Sequence, residues 1–446
     1  MVYCMRLFDK SFSFWLVILG VPLLFIPKIN LMSFGDRESA GMRLDDIVLL
    51  FQCAIIFWAH FTLQRTMNRI ERLVLGIFVF SLFSFALNRF FVHEGWLHVN
   101  ASIFYCARIA EYFIFFYVGA MSIQFFQTSS VIMAFFLWNA LLMILQKAEM
   151  VGQFALGGYV NSSMGRVVGI ASFPSEAGML LDLVFCYLIY SKGTHTRFSK
   201  LLPPDIHFFF QQTYVYWLFL ICSTLVIITG SRIAIVALIV AFLFRIKDDL
   251  KKGSAGTWIY GLGFIAIGTV LTVIMIQKTA SVTARSAGLL SFKNLELIRI
   301  VWDNINLSHD PIGNEAVKFE AYDMSWWMRI HKWIYAFKIY YLHPECWLQG
   351  VGPGFAMAAL DGGWLRILTE YGLIGFALFG KLFANISRQS LQLHWMMIAF
   401  SINMIFFDVY LAYKPMSLLF LVSGCAWAQA QDKKSEPIGI RFYQTT

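Results

Sequence analysis

Long apolar runs separated by short polar segments dominate the sequence. The runs cover residues 12–27, 44–63, 73–88, 101–125, 131–146, 167–190, 213–230, 233–244, 257–276, 364–383, 395–412 and 415–430. Most approach the roughly 20 residues that an α-helix needs to cross a bilayer, and interfacial aromatic residues extend the shorter ones. The pattern predicts an all-α, polytopic membrane protein with about twelve transmembrane helices.

The composition narrows the class of protein further. Of the 446 residues, 59% are hydrophobic and only 14% are charged, whereas a typical soluble domain has about 25% charged residues. The first apolar run follows Arg6 and Lys10 and has no small-residue cleavage site, so it is predicted to be an uncleaved first span. The seven cysteines form no CxxC pair, and the sequence therefore predicts neither a disulfide framework nor a zinc site.

Basic residues fall mainly in alternate loops. Seventeen lie on one side: Arg6, Lys10, Arg65, Arg69, Arg72, Lys192, Arg197, Lys200, Arg245, Lys247, Lys251, Lys252, Lys381, Arg388, Lys433, Lys434 and Arg441. The short loops on the other side hold eight: Lys28, Arg37, Arg43, Arg89, Lys147, Arg166, Arg232 and Lys414. The positive-inside rule then places both termini in the cytoplasm.

This orientation divides the chain into three parts. Residues 1–276 hold the first nine predicted helices, residues 277–363 form one large extracytoplasmic loop, and residues 364–446 hold the last three helices and a cytoplasmic tail. The stretch from Trp326 to Tyr341 has apolar residues at roughly helical spacing. The loop is therefore predicted to contain helices that lie on the outer membrane face.

Two binding functions are excluded by the same pattern. The net charge of +9 does not indicate a nucleic-acid partner, because the basic residues are divided between the two sides of the membrane. The glycines from Gly350 to Gly354 lack the preceding strand of a dinucleotide-binding fingerprint. They are predicted to form a turn at which the backbone approaches a ligand or the membrane.

Arginines beside glycine recur in the segments predicted to lie outside. A guanidinium group binds phosphate oxygens in bidentate fashion and stays charged where water is scarce. The candidate diphosphate-binding residues are Arg166, Arg232, Arg329 and Arg366. A site of this kind at the membrane–water boundary would suit a lipid diphosphate.

Three residues in the same segments are candidate general bases: Glu176, His331 and Asp361. Each also fits a structural role, since Glu176 and Asp361 could cap helices and His331 could be a solvated loop residue. No metal-binding motif accompanies them, and neither a metal nor a cofactor is predicted.

Charged residues within the apolar runs permit a second interpretation. Arg108 and Glu111 are three residues apart on one predicted helix, which favours an ion pair. Together with Asp182 and Asp408 they leave a transporter with an ion relay as a weaker alternative.

Several short motifs resemble those of the O-antigen polymerase and O-antigen ligase superfamily of bacterial inner-membrane glycosyltransferases. They are the segments Arg166–Gly178, Thr229–Arg232, Gly350–Phe355 and Leu365–Gly375, in a chain with about twelve spans and a large loop between the ninth and tenth. The resemblance implies a GT-C-like fold with the active site facing the periplasm. The ligase pattern has a His-Asn pair near the start of the last motif, where this chain reads Leu360-Asp-Gly-Gly-Trp364, and this difference favours a polymerase.

The resemblance also implies a reaction and partners. A polymerase joins undecaprenyl-diphosphate-linked oligosaccharide repeat units, without a nucleotide or other cofactor, beside a flippase and a chain-length regulator. The alternatives are a ligase that transfers glycan to lipid A-core and a lipid-linked glycan flippase.

Overall fold

The computed structural model describes residues 10–27, 30–33, 41–63, 67–92, 99–152, 166–191, 204–252, 263, 293–305, 307, 324–355 and 360–435. The described residues are helical except for loops and one antiparallel hairpin, in which β1 (Asn30–Ser33) pairs with β2 (Gly41–Arg43). The all-α prediction is therefore confirmed, with this small hairpin added. The ninth predicted span, 257–276, lies outside the described residues apart from position 263.

The described residues contain fourteen α-helices, numbered here in chain order. They are α1 (Lys10–Phe25), α2 (Leu44–Leu63), α3 (Arg69–Leu87), α4 (Val99–Ser122), α5 (Thr128–Lys147), α6 (Pro174–Tyr190), α7 (Pro204–Thr229), α8 (Arg232–Lys252), α9 (Lys293–Asn304), α10 (Met324–Leu342), α11 (Cys346–Gln349), α12 (Gly363–Ser387), α13 (Leu391–Asn403) and α14 (Tyr413–Ser435). A π-helical turn, Asn88–Val92, follows α3, and a 3₁₀ turn, Val409–Leu411, precedes α14.

Several helices have the apolarity and length that a membrane span requires. Within the described residues, four qualify on both counts: Arg69–Phe90, Phe104–Ser122, Thr128–Lys147 and Gly363–Ser387. Shorter apolar helices cover Ser13–Phe25, Ile47–Ile56 and Tyr214–Thr229. These helices support a membrane protein, while the count of twelve spans stays a prediction.

The longest of these four, α12, is not a straight rod. Gly372 has non-helical dihedral angles (φ 62°, ψ −167°) that break the helix. The rings of Trp364 and Phe383 lie only 5.9 Å apart, although 19 residues of continuous helix would separate their Cα atoms by about 28 Å. The first half of α12 therefore folds back against the second half. The sequence predicted one uninterrupted span over 364–383, and the break at Gly372 corrects this.

Helix α6 lies at the centre of the bundle, where every described side chain from Ala177 to Tyr190 is buried. It is antiparallel to α13, because the side chain of Asn403 donates to Asp182 near one end while that of Gln392 donates to the Tyr190 carbonyl at the other. It is also antiparallel to α7, because Val167, just before α6, donates to the Ile228 carbonyl near the end of α7, while Phe185 packs on Phe219 earlier in α7. Two neighbours of α6 therefore run opposite to it.

The helices from the predicted large loop have a hydrophobic cluster of their own. Leu297 and Val301 of α9 are buried with Ile330, Ile334 and Ile339 of α10. The cluster also takes in Leu365 and Leu368 of α12. The described part of the loop therefore contains helices and packs directly onto the first half of α12, while their position on the outer membrane face stays a prediction.

Candidate functional site

The turn of residues 404–412, between α13 and α14, contacts two of the candidate residues, Arg366 and Arg329. It bonds to α12 through Asp408 and Tyr410, and the next helix begins beside Glu176 of α6, whose Oε1 accepts the Lys414 backbone N–H at 3.3 Å. The Lys414 side chain donates to the Leu23 and Ile26 carbonyls at the end of α1. Helix ends that are far apart in sequence thus meet at one end of the bundle, which we name the site end.

Arg366 is the most buried of the candidate arginines, with 1% of its surface exposed. Its Nε donates to Glu370 Oε1 and its Nη1 to Asp408 Oδ2, both at 2.8 Å. The Tyr410 hydroxyl donates to Glu370 Oε2 at 2.7 Å, and the guanidinium lies 5.4 Å from the centre of the Tyr105 ring. Burying a charge is tolerable only with such compensating partners.

These bonds bear on the predicted role of Arg366. Two of its nitrogens already face carboxylate oxygens, so a phosphate group would have to compete with Glu370 and Asp408 for them. Asp408 also accepts the backbone N–H groups of Leu360 (2.6 Å) and Gly362 (3.1 Å). In this structure, the Arg366 network fastens the start of α12 to the 404–412 turn.

The glycine-rich turn predicted at Gly350–Gly354 packs onto the break in α12. A broken helix leaves carbonyl groups without their usual partners. Here the Val351 N–H donates to the Thr369 carbonyl at 2.9 Å and the Gly352 N–H to the Glu370 carbonyl at 3.0 Å, while the Gly354 N–H reaches the Glu370 carboxylate at 2.9 Å. The backbone at these glycines therefore comes close to α12, whereas the sequence predicted an approach to a ligand or the membrane.

A second polar group lies between α10 and the start of α12. Lys332 Nζ is 3.2 Å from Asp361 Oδ2, and the Trp333 indole donates to the Asp361 carbonyl. The Arg329 guanidinium lies 5.8 Å from the centre of the Phe407 ring. His331 is buried and stacks on Trp327 with the ring centres 5.4 Å apart. The structure therefore brings Asp361 and Arg329 to the same region and holds His331 against an aromatic ring.

Asp361 differs from the other two candidate bases in its environment. Its side chain keeps 22% of its surface exposed, and its backbone adopts φ 58°, a left-handed conformation that Asp tolerates better than most residues. Burial raises the pKa of its carboxyl above the ordinary value, against the opposing effect of Lys332. A raised pKa brings the carboxyl closer to the range in which a general base works well.

The raised pKa predicts a pH dependence of stability. Asp361 stabilises the folded protein most when the pH is below the ordinary pKa of its carboxyl. This contribution to the free energy of unfolding is lost as the pH rises through the raised pKa of the folded state, because the carboxyl ionises more readily in the unfolded chain. The free energy of unfolding of the wild type, minus that of Asp361→Asn, should therefore fall as the pH rises from 4 to 7. Denaturant unfolding of both proteins in the same detergent measures it, and a difference that rose with pH would contradict the assignment.

Glu176 is more enclosed than Asp361. It lies in the first turn of α6, 2% exposed, and its Oε2 accepts the Ser172 backbone N–H at 2.8 Å. A carboxylate in the first turn of a helix also interacts favourably with the helix dipole. Its bonds to backbone groups give Glu176 a helix-terminal role in this structure.

The two arginines at the ends of α7 and α8 are both half-buried. Arg166 donates from Nε to the Thr229 carbonyl at 2.7 Å and from Nη2 to the Gly230 carbonyl at 3.3 Å, and so satisfies carbonyls at the C-terminus of α7. Arg232 is the first residue of α8. The N-terminus of a helix stabilises a bound anion. A diphosphate placed there would interact with both the helix end and the Arg232 guanidinium, as the predicted role of Arg232 requires.

An apolar groove of about 450 Å³ lies between the second half of α12 and α13, with one residue from the first half of α12. It is lined by Trp364, Phe383, Ala384, Ser387, Met397, Ile398, Ser401, Ile402 and Ile405. Trp364 and Ile405 are close in sequence to Asp361 and Phe407. Polar groups and an apolar surface are therefore neighbours at the site end.

Glu370, Tyr410 and Lys332 belong to the site but were not predicted from the sequence. The four-residue spacing of Arg366 and Glu370 was an available signal, since such residues face each other on a helix. Tyr410 and Lys332 gave no such signal, because their partners are distant in sequence.

Among the residues that the structure describes, no cluster of His, Cys, Asp or Glu could hold a metal ion. No protein-family profile matches the chain, and no curated protein matches it in sequence.

Proposed function

We propose that the protein is a bacterial inner-membrane glycosyltransferase that joins undecaprenyl-diphosphate-linked oligosaccharide repeat units, as an O-antigen polymerase does. The proposal includes twelve spans, a GT-C-like fold, cytoplasmic termini and a periplasmic site. One observation carries it: charged residues gather at one end of an apolar helix bundle, beside an apolar groove. This arrangement fits an amphiphilic substrate with an anionic head and a long apolar tail.

The proposed reaction needs a leaving-group site and a base. A hydroxyl of the incoming repeat unit attacks the anomeric carbon of the growing chain, the bond from that carbon to the diphosphate oxygen breaks, and undecaprenyl diphosphate leaves with the bonding electrons. The half-buried Arg232 and Arg329 would stabilise the negative charge that develops on the diphosphate. Asp361, the most exposed of the three candidate bases, would take the hydroxyl proton.

The ligase alternative is less favoured because the segment Leu360–Trp364 lacks the His-Asn pair of the ligase pattern.

A flippase is the second candidate, and the broken helix α12 favours it, since discontinuous helices are typical of transporters. Asp182 and Asn403, fully buried and hydrogen-bonded at 2.9 Å between α6 and α13, also suit a transporter. A polymerase and a flippase differ in the side of the membrane on which lipid-linked repeat units accumulate when the protein is inactive.

The test is Arg232→Ala expressed in the parent strain without its wild-type copy. We expect long surface glycan to disappear while single repeat units still reach the surface, because export does not depend on polymerisation. The measurement is the length ladder of surface glycan on a gel. Arg89→Ala is the matched control, since Arg89 is another half-buried arginine, just beyond the end of α3, and it should leave the ladder unchanged.

Other results would reassign the function. A normal ladder in Arg232→Ala, with normal protein levels, would contradict the role of Arg232. Long glycan that stayed on the undecaprenyl carrier would indicate a ligase. Accumulation of single lipid-linked repeats on the cytoplasmic face would indicate a flippase.

A further inference from the structure

Five large apolar side chains are exposed where α10 ends and α11 follows. The exposed fractions are 52% for Phe337, 74% for Tyr341, 50% for Leu342, 45% for Trp347 and 59% for Leu348. We name this surface the aromatic ridge. Such a contiguous exposed apolar surface usually marks contact with a membrane or a partner.

The position of the ridge is fixed by the opposite face of the same helices. Ile334 and Ile339 of α10 are buried against α9, and Cys346 of α11 is fully buried. Lys338 also donates to the Trp302 and Ile305 carbonyls at the end of α9. The ridge therefore lies on the outer side of the hydrophobic cluster, with Tyr341 against Trp302 and Trp347 against Tyr340 at its edge.

The ridge is attached to helix α3, a candidate span. The Ser84 hydroxyl donates to the Gln349 carbonyl at 2.7 Å, and the Asn88 side chain donates to the Gly350 carbonyl at 3.0 Å. Next to these residues, Phe83 is 55% exposed, and across the break in α12 Leu373 is 47% exposed. The ridge therefore continues the apolar surface of α3 and α12.

The attachment also fixes the depth of the ridge. Ser84 lies six residues before Phe90, where the candidate span ends, which is about 9 Å along the helix axis. The ridge is thus level with the last two turns of this span, close to the boundary between the hydrocarbon layer and the lipid headgroups. Trp and Tyr side chains concentrate at this boundary, and the ridge contains one of each.

The basic residues of α10 contact the protein. Lys332 pairs with Asp361, and Lys338 donates to the Trp302 and Ile305 carbonyls. The helix contains no Asp or Glu, so no carboxylate of α10 would be repelled by an anionic membrane.

We infer that the aromatic ridge inserts into the leaflet of the lipid bilayer at the site end of the bundle. The loop that carries Asp361 and Arg329 is then held at the membrane surface, and the Gly350–Gly354 turn lies at interfacial depth against α12. This inference depends on membrane insertion of the helices and is independent of the proposed glycosyl transfer.

The test places a spin label at Leu348→Cys in the full-length protein, reconstituted in vesicles that contain phosphatidylglycerol. The background carries Cys4→Ser and Cys53→Ser, because Cys53 is exposed whereas the other described cysteines are buried. Power saturation then measures collisions of the label with oxygen, which concentrates in lipid, and with a polar nickel chelate. We expect the oxygen-to-nickel ratio at Leu348 to be severalfold higher than at Glu296→Cys, an exposed position in the first turn of α9.

Leu75→Cys, 45% exposed in the middle of α3, provides the reference for a label in lipid. A nickel accessibility at Leu348 equal to that at Glu296 would overturn the inference and leave the ridge as a docking surface for another protein. Phe337→Cys and Tyr341→Cys repeat the measurement from α10, so a folding defect in one variant does not prevent a decision.

Discussion

Replacing Arg366 by methionine is expected to destabilise the folded protein by about 3–5 kcal/mol, the usual range when one partner of a buried ion pair is removed. The reason is that Glu370 and Asp408 would remain as buried carboxylates facing each other, without the guanidinium that lies 2.8 Å from each. The free energy of unfolding in detergent, obtained from denaturant titration, measures the effect. Glycan polymerisation should be lost with it.

The matched control for this variant is Arg108→Met. Arg108 pairs with Glu111 at 2.9 Å, but their side chains keep 20% and 16% of their surface exposed. Arg108 is four residues from Phe104, where the candidate span begins, so its long side chain can reach interfacial water. The loss should therefore be about 1 kcal/mol.

A double-mutant cycle distinguishes a structural role of Arg366 in its ion-pair network from the direct contact with a diphosphate that the sequence predicted. Asp408→Asn combined with Arg366→Met should destabilise less than the sum of the two single variants, because neutralising Asp408 removes one uncompensated carboxylate. If Arg366→Met kept wild-type stability and lost only polymerisation, the structural role would be wrong and the direct contact with diphosphate would be favoured.

The second large effect is expected from Gly372→Ala. Gly372 adopts φ 62°, and a Cβ there would lie 2.4 Å from the Leu348 carbonyl oxygen and 2.6 Å from the Gly350 backbone nitrogen. Backbone atoms cannot move aside as a flexible side chain can, so α12 and the 348–350 segment would have to separate. We expect the variant to express poorly or to unfold well below the wild-type temperature, as measured by fluorescence-detected thermal unfolding in detergent.

Gly380→Ala is the matched control, because Gly380 lies in the second half of the same helix, away from the break at Gly372. A Cβ at Gly380 meets nothing within 4 Å, and alanine favours an α-helix over glycine by about 1 kcal/mol. This control should therefore unfold at or slightly above the wild-type temperature. Equal behaviour of the two variants would contradict the sharp break that we describe in α12.

The sequence predicted the helical class and much of the helix order because both follow from local patterns. Runs such as 73–88 and 131–146 are long and apolar, and the structure has α3 and α5 there. The neighbouring runs 213–230 and 233–244 were correctly predicted as two helices, since α7 ends at Thr229 and α8 begins at Arg232. A run of apolar residues does not reveal a fold-back, and for this reason the break at Gly372 was missed.

The candidate site was predicted less completely. Arg366, Asp361 and Glu176 lie at the site end, yet their nearest partners could not be read from neighbouring positions. Asp408 is 42 residues from Arg366, and the Lys414 backbone that bonds Glu176 is 238 residues away. Contacts over such separations depend on how the helices pack, which no short motif records.

By itself, the sequence determined that this protein is built of apolar helices separated by polar connecting segments. Hydrophobic length and local turn chemistry suffice for that, because each helix satisfies its own backbone hydrogen bonds. The tertiary structure decided which charges meet. Only the packed bundle places Arg366 between Glu370 and Asp408, and only there does burial make each charge depend on the others.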